Sequence, residues 1–184
     1  MYKHYDNFLE EHVAQLIDFE MKEVKWEYDY DSKPNGTQKH WHVFCGHNID
    51  ECNLNGYEFI EPIWNNIKNV DSTLELERAY LNAHTYGIEP HIHRDDGDVT
   101  LIYYPRLDWK IDWGGGTAIY NDDVTEIEKH FVNKGNRIIM FDANLPHQAQ
   151  PVSRLCFQLR TCIVFKTNRI CLLYTSPSPR DSAL

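Results

Sequence analysis

The rhythm of hydrophobic and polar positions changes near residue 75. Before it, residues 7–22 place Leu9, Val13, Leu16, Ile17 and Phe19 at helical spacing, and Asp6 or Asn7 can cap the first turn. KWEYDYD (25–31) alternates Trp26, Tyr28 and Tyr30 with charged residues, the period-two pattern of a strand. DSKPNGTQ (31–38) reads as a loop around Pro-Asn-Gly, and HWHVFC (40–45) as a second strand. YEFIEPIWNNIKNV (57–70) gathers Phe59, Ile60, Ile63, Trp64 and Ile67 on one helical face. After residue 75 the helical period gives way to short apolar runs between turns: ERAYLNAHTY (77–86), VTLIYY (99–104), GTAIYN (116–121), NRIIMFD (136–142) and RLCFQLRTCIVFK (154–166). Short strands at regular spacing predict a sandwich or barrel. The expected fold is mainly β with flanking helices (α+β), a small jelly-roll-like barrel with the N-terminal helices packed on one outer face.

Composition supports one folded domain. With 184 residues, 42% hydrophobic and 13% aromatic, the chain has the material for a single core. We place the domain at residues 1–170, with the barrel core at about 75–166. The segment CLLYTSPSPRDSAL (171–184) changes composition abruptly, and its CLLYTSPSPRD is similar to the translation of a common sequencing adapter. It is expected to be a non-native or disordered tail and is left out of the fold reading. A net charge of −10 argues against binding nucleic-acid backbone, which needs a basic face. No run approaches the ~18 apolar residues of a membrane span. Five cysteines without a CxxC pair speak against a disulfide framework, and the polar N-terminus lacks an apolar leader, so the cytoplasm is the expected compartment.

Ten histidines are many for this length, and two of them fall in HIHRDD (91–96). In an extended chain His91, His93 and Asp95 point to one face, whereas Asp96 points to the other. His93 and Asp95 can then reach one ion, with His91 as a competitor. A third ligand is available in PHQAQP (146–151), where His147 follows the strand RIIMFD and its turn. Two histidines and one carboxylate form the facial triad of non-haem Fe(II) oxygenases.

Taken together, HRD (93–95), VTLIYYPRLDW (99–109), WGGGTAIY (113–120), RIIMFDANLPHQAQPV (137–152), RTCIVFK (160–166) and DNFLEEH near the N-terminus resemble the 2-oxoglutarate/Fe(II)-dependent dioxygenase superfamily, in its prolyl 4-hydroxylase-like branch. The resemblance implies a double-stranded β-helix, with His93, Asp95 and His147 as catalytic metal ligands for Fe(II). It implies 2-oxoglutarate as cosubstrate, O₂ as oxidant, and ascorbate as an accessory reductant. It also implies a basic residue on the last barrel strand that pairs with the far carboxylate of 2-oxoglutarate. Arg160 fits that motif better than Arg154, which shares its face by parity, although Arg160 follows His147 by more residues than is common. Cys162 stands where the family often has serine. Tyr104 resembles a tyrosine that donates to the same carboxylate in oxygen-sensing prolyl hydroxylases, a core tyrosine being the plainer reading. On ERAYLNAHTY the polar face of Tyr80, Asn82, His84 and Tyr86 suggests a lined site, with Asn82 a further cosubstrate contact. Trp109 and Trp113 read as packing or rim residues. Related halogenases lack the carboxylate, so Asp95 favours hydroxylation.

The implied reaction hydroxylates an unactivated C–H of a peptide (a prolyl residue, for example) or a small molecule, releasing succinate and CO₂. Two rival readings are a cupin-type metal enzyme that does not use 2-oxoglutarate, which leaves Arg160 and Tyr104 idle, and an inactive binding module.

Overall fold

In the computed structural model, which describes residues 1–31 and 38–170, VTLIYY is strand β5 (Val99–Tyr104) and all six of its residues are buried. A strand covered on both faces must sit inside a layered molecule, and the alternate residues show the layers. Val99, Leu101 and Tyr103 join a core with helices on its far side, whereas Ile102 and Tyr104 join a second core.

The other elements follow in chain order. Strand β1 (Tyr2–Asp6) and helix α1 (Glu11–Glu23) open the chain. Strands β2 (Glu27–Tyr30) and β3 (His40–Gly46) precede helices α2 (Ile49–Leu54) and α3 (Glu61–Val70). Strand β4 (Leu74–His84) leads to β5, then to β6 (Thr117–Tyr120) and β7 (Ile127–Phe131). Strands β8 (Arg137–Asp142), β9 (His147–Ala149) and β10 (Arg160–Arg169) complete the fold. Seven strands form one sheet in the order β1-β8-β5-β10-β4-β3-β2, and three form a second in the order β7-β6-β9. The inner core joins Ile102, Ile139, Phe141 and Val164 of the large sheet to Ile119 and Phe131 of the small one, so the two sheets face each other. This is the expected double-stranded β-helix.

The outer face of the large sheet carries the helices. Ile63 and Ile67 of α3 are fully buried, and Trp64 stacks on Phe165 of β10 with ring centroids 6.1 Å apart. The face predicted for residues 57–70 is therefore the one used. The first helix differs from expectation. It begins at Glu11 with no side-chain cap, because Asn7 takes a left-handed φ of 49° and the chain turns there. Its buried stripe is Ala14, Ile17 and Met21, which leaves Leu16 and Phe19 exposed. Asn136, also left-handed at 56°, holds this turn to the sheet: its side chain accepts from the Leu9 amide at 2.9 Å and donates to the Leu9 carbonyl at 2.9 Å.

Two further differences concern the site. HIHRDD is not a strand; only His93 makes a ladder contact, an isolated bridge to His147. RLCFQLRTCIVFK is a strand only from Arg160 onward, because residues 153–156 form a turn closed by the Cys156 amide on the Ser153 carbonyl at 3.0 Å. Arg154 is thus off the strand and exposed, and its shared parity with Arg160 has no structural meaning. The loop expected over 31–38 falls, for 32–37, outside the described residues, as does the tail over 171–184.

Candidate metal centre

Between the sheets lies a cavity of about 360 Å³ whose wall includes Tyr80, Asn82, His84, Thr100, Ile102, Thr117, Cys162 and Val164. The alternation of β4, β5 and β10 puts these residues inside. It also accounts for the polar face expected on β4, except that Tyr86 lies beyond the strand and is 49% exposed.

His93, Asp95 and His147 meet in this cavity. One donor atom from each lies within 4.8 Å of the others. The backbone brings them together: the His93 amide donates to the His147 carbonyl at 3.0 Å, and the His147 amide donates back at 2.9 Å. This exchange sets the rings side by side, with centroids 4.4 Å apart. Asp95 is fixed in turn by its amide, which donates to the Ala143 carbonyl at 2.8 Å.

Each imidazole is oriented by a carbonyl two residues upstream. His93 Nδ1 lies 2.9 Å from the His91 carbonyl, and His147 Nδ1 lies 2.9 Å from the Leu145 carbonyl. A carbonyl only accepts, so both Nδ1 atoms are assigned the hydrogen and both Nε2 lone pairs point inward. Burial and the neighbouring His147 push the His93 pKa down to about 4, which keeps that ring neutral. The result is a set of facing acceptors: His147 Nε2 lies 3.1 Å from Asp95 Oδ2, and His93 Nε2 lies 3.5 Å from Asp95 Oδ1. Acceptors held this close need a cation or a proton between them. The donor set therefore fits a divalent ion. Burial raises the Asp95 pKa, but its surroundings, the Lys166 ammonium among them, outweigh it and hold the carboxyl well below its usual range.

Arg160 lies in the same cavity wall and is only 1% exposed. Its Nε donates to the Gly115 carbonyl at 2.8 Å, and its Nη1 lies 3.3 Å from both His84 Nδ1 and Cys162 Sγ. Burial and the guanidinium push the His84 pKa well below its usual value, so the neutral ring is free to accept. Nη2 is buried without a hydrogen-bond partner. An orphaned guanidinium donor is costly and matches an anionic ligand. Gly115, with φ of +70°, passes so close that a Cβ there would lie 2.9 Å from Arg160 Cγ. WGGGT is thus the backbone cradle of the arginine, and Trp109 and Trp113 pack beside it, edge to face at 5.2 Å.

The other expected residues are placed as follows. Asn82 lines the cavity with its Oδ1 2.8 Å from His42 Nδ1. Tyr104 does not line it: it sits in the inner core under the Arg160 guanidinium, with its hydroxyl 2.7 Å from Thr117 Oγ1. His91 contributes its carbonyl, and its imidazole is outside the ligand set. The Asp96 carboxylate pairs with Arg78 at 2.5 Å. Arg154 instead lines an outer groove with Tyr86, Glu89 and Phe157. Three residues were not anticipated: His84 as a brace for Arg160, and Lys166 and Thr100 on Asp95. The parity that places Arg160 inside also places Lys166 inside, on the part of β10 that is buried from Arg160 to Thr167.

The sequence model of the 2OG-Fe(II) oxygenase superfamily matches residues 74–165, half of the chain. No curated protein sequence matches it. Among solved structures, the chain is similar to a prolyl hydroxylase from Trichoplax adhaerens in complex with a hypoxia inducible factor peptide fragment, at 15% identity and a TM-score of 0.69 over 91% of this chain and 83% of that one. It is similar to a Pseudomonas putida prolyl-4-hydroxylase at 13% identity and 0.63, over 91% and 92%. It also resembles HygX from Streptomyces hygroscopicus, solved with nickel and 2-oxoglutarate bound, at 8% identity and 0.63 over 92% and 83%.

Proposed function

The chain belongs to the 2OG-Fe(II) oxygenase superfamily, and from that premise we propose that His93, Asp95 and His147 hold its Fe(II) and that Arg160 anchors the far carboxylate of 2-oxoglutarate. The observation that carries this reading is the presence, in one cavity, of three converging donors and a buried guanidinium nitrogen without a partner. When bound, the ion and cosubstrate supply the oxidation: one O₂ and one 2-oxoglutarate give CO₂, succinate and a hydroxylated C–H bond. The protein's part is to bind and orient. The two imidazoles present Nε2 because the His91 and Leu145 carbonyls hold Nδ1, and Arg160 is aimed by Gly115, His84 and Cys162. Asn82 and Thr117 add polar groups to the same wall, and Tyr104 supports Thr117 from behind. His147 is buried, and His93 and Asp95 are half-buried.

For substrate we infer a C–H donor that fits the cavity that Tyr30, Arg78 and Pro90 also line: a peptide side chain, prolyl among them, or a small molecule. Hydroxylation is favoured because Asp95 supplies the carboxylate of the triad. Ascorbate is a proposed accessory. Cys45, Cys52, Cys156 and Cys162 are buried free thiols, which supports a reducing compartment such as the cytoplasm, and no described helix is long and apolar enough to cross a membrane.

The test is succinate formation from 2-oxoglutarate by Fe(II)-loaded protein, with Mn(II) binding measured alongside. Asp95→Ala and His93→Ala should each abolish turnover and weaken Mn(II) binding at least a hundredfold. Retained turnover in either variant overturns the ligand assignment.

A further inference from the structure

Lys166 is 2% exposed and stands on the inner face of β10, six residues past Arg160, in the wall of the same cavity. Its cross-strand neighbour is Thr100 of β5. The two side chains meet, with Lys166 Nζ 3.3 Å from Thr100 Oγ1, and both reach Asp95. Thr100 Oγ1 donates to Asp95 Oδ2 at 2.7 Å, and the Lys166 ammonium pairs with that same oxygen. Among the described residues no hydrogen bond is made to Oδ1. The nearest other acid, Asp96, is taken by Arg78. Lys166 is thus committed to one oxygen of one carboxylate.

We propose that Lys166 is a positioning residue for Asp95: together with Thr100 it holds Oδ2, the oxygen 3.1 Å from His147 Nε2, and so leaves Oδ1, 3.5 Å from His93 Nε2, open to the ion. The inference rests on the ligand reading above. It explains why a loop carboxylate, tied to the backbone only by its own amide, keeps one orientation. It also changes the charge of the site. The Lys166 ammonium beside Asp95 offsets the carboxylate charge that the ion meets. Attraction alone then predicts that removing Lys166 tightens metal binding, whereas positioning predicts that it loosens it. The two accounts differ in sign.

The experiment is a Mn(II) titration followed by electron paramagnetic resonance, on wild type, Lys166→Met, Thr100→Val and Asp95→Ala. Circular dichroism of each metal-free protein establishes that it is folded. Loss of outer hydrogen bonds to metal ligands typically lowers affinity about 10- to 100-fold. Lys166→Met should lose affinity in that range and alter the line shape of the bound ion as the carboxylate turns. Thr100→Val, nearly isosteric and leaving the ion pair in place, should lose several-fold and decides the matter if Lys166→Met does not fold. Unchanged or tighter binding in the folded variants overturns the positioning role. If wild type fails to bind, or Asp95→Ala binds as well as wild type, the ligand reading itself fails.

Discussion

Arg160 shows how much a single residue can report. It is a buried cation with one nitrogen donating to a backbone carbonyl, one shared between a neutral imidazole and a thiol, and one without a partner. Hydrogen bonds to charged groups contribute about 1.5–3 kcal/mol, so Arg160→Met should raise the KM for 2-oxoglutarate by about one to two powers of ten. Mn(II) affinity in the same variant should change little, because Arg160 is outside the ligand set. Arg154→Ala, at an exposed turn, is the control and should leave both quantities unchanged. Most of this site was legible in the chain: the HxD spacing, the later histidine and the arginine of RTCIVFK meet as expected. The choice against Arg154 was legible only from the motif, because strand parity assumed a strand that the turn at Ser153–Cys156 cuts short. Lys166 and Thr100 escaped because their partner, Asp95, is brought to them by tertiary pairing, and local pattern carries no record of that.

At the scale of elements, the legible pieces were those buried on both faces or strongly periodic. Strands β5 and β8 fall where their apolar runs lie, and α3 uses its predicted face. The missed pieces were short and wet. Strand β1 is mostly exposed, as is β7, and α2 has only six residues with one buried, Cys52. Such segments bury too little to mark the sequence; β1 is placed by its pairing with β8. The glycine turn before β6 has a more specific consequence. Alanine at Gly115 would both strain a left-handed backbone and press on Arg160 Cγ. Gly115→Ala should therefore raise the KM for 2-oxoglutarate at least tenfold while leaving Mn(II) affinity near wild type, as read by succinate assay and metal titration. An equal loss in both would show that the turn supports the whole barrel and not the arginine alone.

The molecule as a whole stores several neutral histidines. Burial pushes His40 and His93 down to about 4, and lowers His42 and His84 as well. The unfolded chain takes up these protons near pH 6.5 and the folded chain does not, so the unfolded state binds more protons as the pH falls. Stability of the metal-free protein should be intact above about pH 6.5 and should fall between 6.5 and about 4. A shift from 6.5 to about 4 corresponds to on the order of 3 kcal/mol for a single histidine. Urea unfolding midpoints from pH 8 to pH 4 measure this. His40→Gln should flatten the curve by up to one proton, and a midpoint that stays constant over the interval would contradict the neutral assignments. The order of the seven strands was the least legible feature, since neighbours such as β10 and β4 are far apart in the chain and nothing local announces their pairing.

The reciprocal bridge between His93 and His147 also matters for the chain as a polymer. The two residues lie 54 positions apart, one on the loop leading into β5 of the large sheet and the other on β9 of the small one. An ion held by both is a reversible tether that closes this long loop and fastens one sheet to the other. By the chain-entropy estimate used for disulfides, a cross-link of that span is worth roughly 4 kcal/mol against unfolding. Saturating Mn(II) should then raise the melting temperature by several degrees and slow proteolytic cutting between the sheets, and chelation should reverse both. Asp95→Ala should show neither effect.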